Sequence, residues 1–247
     1  MADLKPRMRA DLDPAPYAEA FERDGYVQIA DFLPADVAEE AAQILETKIQ
    51  WSIMVTDPNG KTHIIDRAQY EQVGQQKINE YLRQMTQRGA EGFAFLHMTY
   101  SLLDEYPRDP GHPIARLTEF MNSEEFLDFG RKVIGAPTVK SSSIMASRYG
   151  PGDFLTVHDD SHTNDTRRAA MTLGFTRRWR PDWGGQLLFH DAAGDVERGL
   201  APGFNVLTLF KVPKAHSVAY VAPYAKAPRI SVTGWLRDDP SLVNFPA

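Results

Sequence analysis

The rhythm of apolar and polar positions changes midway along the chain. In the first half, Gly25–Ala30 alternates like a short strand. Pro34 then suits the first turn of a helix whose apolar face is Val37, Ala41, Ile44 and Leu45. Asp57-Pro58-Asn59-Gly60 is a turn signal. The spacing from Gln69 to about Arg88 predicts a helix. The stretch from His112 to Val133 predicts one or two more, interrupted near Asn122-Ser123, where the Ser123 hydroxyl can cap the second. Gly135-Ala136-Pro137 ends this helical half.

Beyond Pro137, short β-prone runs follow one another: 139–149, 154–157, 170–175, 186–189, 205–210, 217–221 and 230–235, separated by Gly, Pro and Asp. Helices followed by closely spaced strands predict an α+β fold in which N-terminal helices brace an antiparallel jelly roll, or double-stranded β-helix. Residues 1–16 are polar and carry Pro6, Pro14 and Pro16, which predicts a loose segment. Residues 17–247 then form one domain, with helical support over about 17–136 and the jelly-roll core over about 137–239. No repeat or low-complexity linker divides them.

Composition adds exclusions. Apolar residues make up 43% and charged residues 24%, which is ordinary for a globular chain. With 27 basic and 33 acidic residues the net charge is −6, which argues against a nucleic-acid partner. The chain has no cysteine, so disulfides, thiolate metal sites and cysteine nucleophiles are excluded. The N-terminal residues have charges and prolines where a signal peptide needs an apolar run, and no segment is long and apolar enough to span a membrane. A cytoplasmic location is the expectation. The oligomeric state has no signature.

The chemistry concentrates in Val157-His158-Asp159-Asp160-Ser161-His162. Of the seven histidines only His158 has a carboxylate two positions later, Asp160, and on a strand or its exit positions i and i+2 point to the same side. His216, between two β-prone runs, is placed to supply a third ligand. Two imidazoles and a carboxylate on one face leave three positions open, the arrangement of non-haem Fe(II) oxygenases. A polar turn and an unrelated buried histidine account for the same three residues equally well. Arg229 opens the run Arg-Ile-Ser-Val-Thr-Gly-Trp235, with Thr233 and Trp235 on its face of the strand. An inward arginine needs an anion, and its planar fork suits a carboxylate; a structural ion pair is the other reading.

Taken together, Tyr149-x-x-Gly152-x-x-Leu155-x-x-His158-x-Asp160, Trp183-Gly184-Gly185-Gln186-Leu187, His216 and Arg229-x-Ser-x-Thr-x-Trp235 resemble the Fe(II)/2-oxoglutarate-dependent dioxygenases, within them the prolyl-hydroxylase-like branch. The resemblance covers roughly residues 140–239; in the first half only 24–33 shares it. It implies that His158, Asp160 and His216 hold iron. It implies that Arg229, helped by the Thr233 hydroxyl, binds the distal carboxylate of 2-oxoglutarate, and that Tyr149 and Trp235 belong to the cofactor pocket. Fe(II), 2-oxoglutarate and O2 follow, with ascorbate admitted as an accessory. The implied reaction hydroxylates an unactivated C–H and releases succinate and CO2. Its substrate is a prolyl residue in a protein or peptide, or else a free amino acid or other small molecule. A non-catalytic jelly roll that binds metal or ligand is the rival from another class, and a zinc hydrolase lacks an obvious general base.

Two departures stand out. The thirteen positions from His216 to Arg229 exceed what the resemblance leads one to expect, so 220–228 should hold an extended turn. Gly174 falls where an aromatic is expected in the cosubstrate pocket, leaving Phe175 or another residue to fill that space. Arg148, Arg167 and Arg168 flank the pocket in sequence, and Trp179 and Trp183 suit either a groove wall or a core. Asp159 should point outward, His190 should be structural, and His162 lacks a carboxylate at i+2. His158→Ala should therefore abolish Fe(II) binding in an anaerobic titration while His162→Ala retains it; the reverse result would shift the register of the whole motif.

Overall fold

The computed structural model describes residues 4–57, 59–161, 166–241 and 243–245. Its helices are α1 Pro14–Asp24, α2 Ala35–Thr47, α3 Arg67–Val73, α4 Gln75–Arg88, α5 Leu102–Glu105, α6 Ala115–Phe120 and α7 Glu124–Ile134. Its strands are β1 Tyr26–Ala30, β2 Ser52–Thr56, β3 Thr62–Ile65, β4 Phe95–Tyr100, β5 Ser141–Tyr149, β6 Phe154–His158, β7 Arg167–Phe175, β8 Leu187–His190, β9 Val196–Leu200, β10 Phe204–Lys211, β11 His216–Val218 and β12 Arg229–Arg237.

Local chemistry explains most boundaries. Ser123 Oγ accepts the Phe126 N–H at 3.3 Å to start α7, and Gly135, left-handed at φ 67°, ends it. The single helix predicted over 69–88 is instead two: Gly74, at φ 83° and ψ 145°, interrupts it, and the capping box of Asp66 and Gln69 sets the start of the first. The predicted helical half also contains four strands, β1 to β4, of which only the first is legible in the alternation.

All strand pairs are antiparallel, in the order β1-β10-β7-β12-β5-β4-β6-β11-β8-β9, with β2 joining β4 and β3 at the side. β4 bridges two layers: Phe95 pairs with Leu155 of β6, and Met98 with Arg148 of β5. The sheet thereby curls into the predicted jelly roll. Helices cover its outer face. Ile230, Val232 and Leu236 of β12 and Ile144 and Ala146 of β5 join Phe126 and Phe129 of α7 and Leu45 of α2 in the largest core cluster. The alternate residues of the same two strands point into the roll.

The N-terminal segment is docked rather than loose from Leu4 onward: Leu4 is buried, and Met8 and Leu12 pack on the same core. The connection between β1 and α2 is held by Asn205, itself left-handed at φ 56°. Its side chain accepts the Leu33 N–H at 2.9 Å and donates to the Leu33 carbonyl at 2.7 Å. Asn205→Ala would orphan both buried groups, at about 1–3 kcal/mol each. Urea denaturation should show a loss of that order, far above the effect of an exposed substitution.

Candidate metal centre and cosubstrate pocket

His158 ends β6, and His216 begins β11 directly opposite it in the antiparallel register. Their rings lie 4.1 Å apart between centroids. Asp160 joins them, with Oδ1 3.4 Å from His158 Nε2 and Oδ2 3.6 Å from His216 Nε2. One ligand atom from each of the three can be chosen so that all lie within 4.8 Å of one another. Convergence does not come from strand alternation, as the sequence suggested. β6 stops at His158, and Asp160 reaches the site by turning back in a left-handed conformation, φ 62°.

Both histidines are oriented by the same device. His158 Nδ1 donates to the Thr156 carbonyl at 3.0 Å, and His216 Nδ1 to the Lys214 carbonyl at 2.7 Å. A carbonyl only accepts, so each Nδ1 carries the proton and each Nε2 keeps a lone pair for an ion. Burial, reinforced by the neighbouring His158, pushes His216 down to about 4, which keeps it neutral and able to ligate. Burial works to raise the Asp160 carboxyl, but His158, His216 and the Trp235 indole outweigh it and hold Asp160 below its ordinary value. Asp160 and His216 are thereby in the protonation states an Fe(II) site requires.

The triad opens into a cavity of about 230 Å³, mostly apolar, which Arg229 also lines. Arg229 is only 8% exposed. Among the described residues no carboxylate lies within ion-pair distance of it, and its buried Nη1 has no hydrogen-bond partner. The structural ion pair that the sequence allowed is therefore not what holds it. Its guanidinium lies 5.2 Å over the ring of Tyr149, the residue paired with it across β5 and β12. Burial lowers the guanidinium's proton affinity and raises that of the Tyr149 phenol. A buried, unpartnered fork in the same cavity as a two-histidine, one-carboxylate cluster fits an acid chelated at the metal with a second carboxylate further in.

Thr233 and Trp235 line the cavity as predicted, with different partners. The Thr233 hydroxyl donates to the Met171 carbonyl at 3.1 Å, so its proton is not offered to the distal carboxylate. Trp235 Nε1 donates to Asp160 Oδ2 at 2.9 Å, so its polar handle serves the carboxylate of the triad. Ser147 and Ser231, hydroxyls 3.0 Å apart, line the cavity beside Arg229 and were missed by the sequence reading. Their positions, two before Tyr149 and two after Arg229, carried the signal.

His97 was missed as well. From β4 it stacks on Tyr149 at 4.7 Å and 23°, and its Nδ1 donates to the Met98 carbonyl at 3.0 Å. The alternation Phe93, Phe95, His97 was the available clue, and all three line the cavity.

Phe175 does not fill the space beside Gly174. It packs against Phe204 in the helix-covered core. A Cβ at Gly174 would lie 2.5 Å from the Gly203 carbonyl, so no aromatic fits there. Gly184 makes a close approach that only glycine permits, since a Cβ there would sit 1.9 Å from the Tyr220 carbonyl. The extended turn before Arg229 is present, no strand covering 219–228.

Arg167 faces the site and Arg168 pairs with Asp238, the opposite orientations expected of neighbours. Arg148 contacts the Met98 sulfur at 3.0 Å. Trp179 and Trp183 pack on the Tyr149 cluster as core. Asp159 is exposed and accepts from Ser161, and His190 meets the Ser217 hydroxyl at 2.8 Å. His162 lies outside the described residues.

Residues 144–237 match the family model of the 2OG-Fe(II) oxygenase superfamily. The fold is shared with a Pseudomonas putida prolyl-4-hydroxylase (20% identity, TM-score 0.52, covering 96% of this chain and 98% of that one). It is also shared with a 2OG-Fe(II) oxygenase-family oxidoreductase from Burkholderia pseudomallei (14%, TM-score 0.58, 98% of each chain). A third is a Trichoplax adhaerens prolyl hydroxylase in complex with a hypoxia inducible factor oxygen degradation domain peptide fragment (15%, TM-score 0.59, 91% of this chain and 89% of that one). No curated protein matches the chain. The matched segment 144–237 is the part of the chain that carries the triad and Arg229. That match supports a dioxygenase enzyme and implies Fe(II), 2-oxoglutarate and O2, for which the triad offers metal ligands. No helix among the described residues is long and apolar enough to cross a membrane.

Burial, with the charge of Arg229 adding to it, pushes His97 down to about 4. Its folded value lies below the unfolded one near 6.5, so the stability it contributes is complete above that value and is lost as pH falls from about 6.5 towards 4. His97→Phe keeps the stack and removes the proton site. Urea denaturation at pH 7 and pH 5 should show a smaller acid loss in that variant than in wild type.

Proposed function

We propose that His158, Asp160 and His216 hold Fe(II), that Arg229 binds the distal carboxylate of 2-oxoglutarate, and that the enzyme hydroxylates a prolyl residue in a peptide or protein. The single observation that carries the cosubstrate assignment is the buried Nη1 of Arg229 with no partner in the cavity of the triad. A buried cation without an anion costs several kcal/mol, and a dicarboxylate supplies the missing charge. Bound iron supplies the oxidising chemistry. The chain's own residues do the rest: the Nδ1–carbonyl bonds aim the two imidazoles, Tyr149 supports the guanidinium, and the apolar walls from Phe93, Phe95 and Leu155 keep water from the reacting carbon.

A peptide substrate is supported by the mouth of the site. Phe93, which lines the cavity, is 44% exposed, its ring 5.2 Å from that of His158. This exposed apolar ring borders the triad, as a substrate larger than the cavity requires. The fold shared with prolyl hydroxylases, one of them in complex with a peptide fragment, points the same way.

Two measurements test the reading. Anaerobic Fe(II) plus 2-oxoglutarate should give the weak visible charge-transfer band of the chelate, and Arg229→Ala should lose it at limiting cosubstrate. Absence of the band in folded wild type, or its persistence in Arg229→Ala, would contradict the site. Aerobic turnover of prolyl peptides should yield succinate with one added oxygen on proline. Coupled turnover confined to free amino acids or other small molecules would replace the peptide assignment. Metal binding without turnover of any substrate would favour a non-catalytic module.

A further inference from the structure

The left-handed conformation of Asp160 leaves one question in the proposed iron site: what keeps its carboxylate in place. Left-handed φ is uncommon for residues other than glycine, though aspartate tolerates it better than most. Here it occurs just past the end of β6, next to residues that the strand pairing no longer restrains. Two side chains from other strands close on it. From β12, Trp235 Nε1 donates to Asp160 Oδ2 at 2.9 Å. From β7, Arg167 Nη1 donates to the Asp160 main-chain carbonyl at 2.9 Å and stands 4.0 Å from Oδ1. The two holders also hold each other, the Arg167 guanidinium lying 4.1 Å over the Trp235 ring.

We infer that Arg167 and Trp235 form a clamp that presents Asp160 to the metal. This rests on the reading of the triad as an iron site. Arg167 secures the left-handed backbone through its carbonyl. Trp235 occupies one side of Oδ2 and stops the carboxylate from rotating, which leaves Oδ1 towards His158. The stack between them makes the clamp one unit anchored on the adjacent strands β7 and β12, which pair directly. Arg167 and Trp235 are positioning residues: they act on the metal through Asp160. A site so held has its ligand placed before the ion arrives, which favours affinity because less order is imposed on binding.

The test uses the full chain stripped of metal, with Mn(II) as a redox-stable probe and Fe(II) under anaerobic conditions. Trp235→Phe keeps the ring and removes the N–H. Arg167→Met keeps the reach and removes the guanidinium. Each should weaken Mn(II) binding in calorimetry by about 10- to 100-fold, and the double variant should be weakened much less than the product of the two. A second readout needs no metal. In 1H–15N spectra the indole signal that disappears in Trp235→Phe should exchange slowly with solvent in the metal-free wild type. It should exchange faster in Asp160→Ala and in Arg167→Met.

Wild-type Mn(II) affinity in either single variant, or indole exchange that is indifferent to Asp160, overturns the clamp. If Trp235→Phe fails to fold, Arg167→Met and the exchange measurement decide it. If wild type takes up no divalent ion, the iron-site reading fails instead, and exchange in the metal-free chain still decides whether Trp235 and Arg167 hold Asp160.

Discussion

The structure depends on a buried cation that has no anion of its own. Arg229 sits at the start of β12 with its guanidinium inside the roll, 8% exposed, beside hydroxyls and an aromatic ring but no carboxylate among the described residues. Withdrawing a guanidinium from water costs several kcal/mol unless a charge and hydrogen bonds replace the solvent. The quadrupole of Tyr149 returns part of that cost, and His97 is stacked behind Tyr149 to fix the ring. The remainder is an electrostatic demand on whatever enters the cavity. A ligand with a carboxylate at one end, and a group able to chelate a metal at the other, satisfies the arginine and the triad together.

Meeting this demand requires a wall rigid enough to hold Arg229 and porous enough to admit a ligand. The curled antiparallel sheet supplies both through its two-residue alternation. On β12, Ile230, Val232 and Leu236 pack under the helices while Arg229, Ser231, Thr233 and Trp235 face the cavity. The helices therefore stabilise the same strands that carry the chemistry without approaching it. Gly234 belongs to this economy of space: a Cβ there would lie 1.8 Å from the Ser143 carbonyl, so the strand can approach β5 only at a glycine.

Legibility followed the range of the interactions. His158, Asp160, His216 and Arg229 could be picked out because each is marked by its near neighbours, and the structure brings all four to one cavity. Trp235 was placed on the correct face, yet its partner was not: the bond to Asp160 spans 75 positions, and no local pattern encodes it. β4 was lost among helix-like surroundings, and with it His97 and Phe95, because a six-residue strand following a long polar helix is too short to set a period of its own. The helix predicted over 69–88 failed at Gly74 for a local reason. That glycine takes an extended ψ at positive φ, a conformation that apolar spacing on either side does not register.

What the amino-acid sequence determined by itself is which side chains share a face, because alternation along a strand is a property of consecutive residues. That was enough to put Arg229, Thr233 and Trp235 together. Tertiary structure decided what those faces meet. The curl through β4 brings Phe95 and His97 to the cavity, the β7–β12 pairing sets Arg167 against Trp235, and the turn after β6 swings Asp160 back to the histidines. Such contacts join residues far apart in the chain. They depend on register and curvature, which arise only when the strands close on one another around a common core.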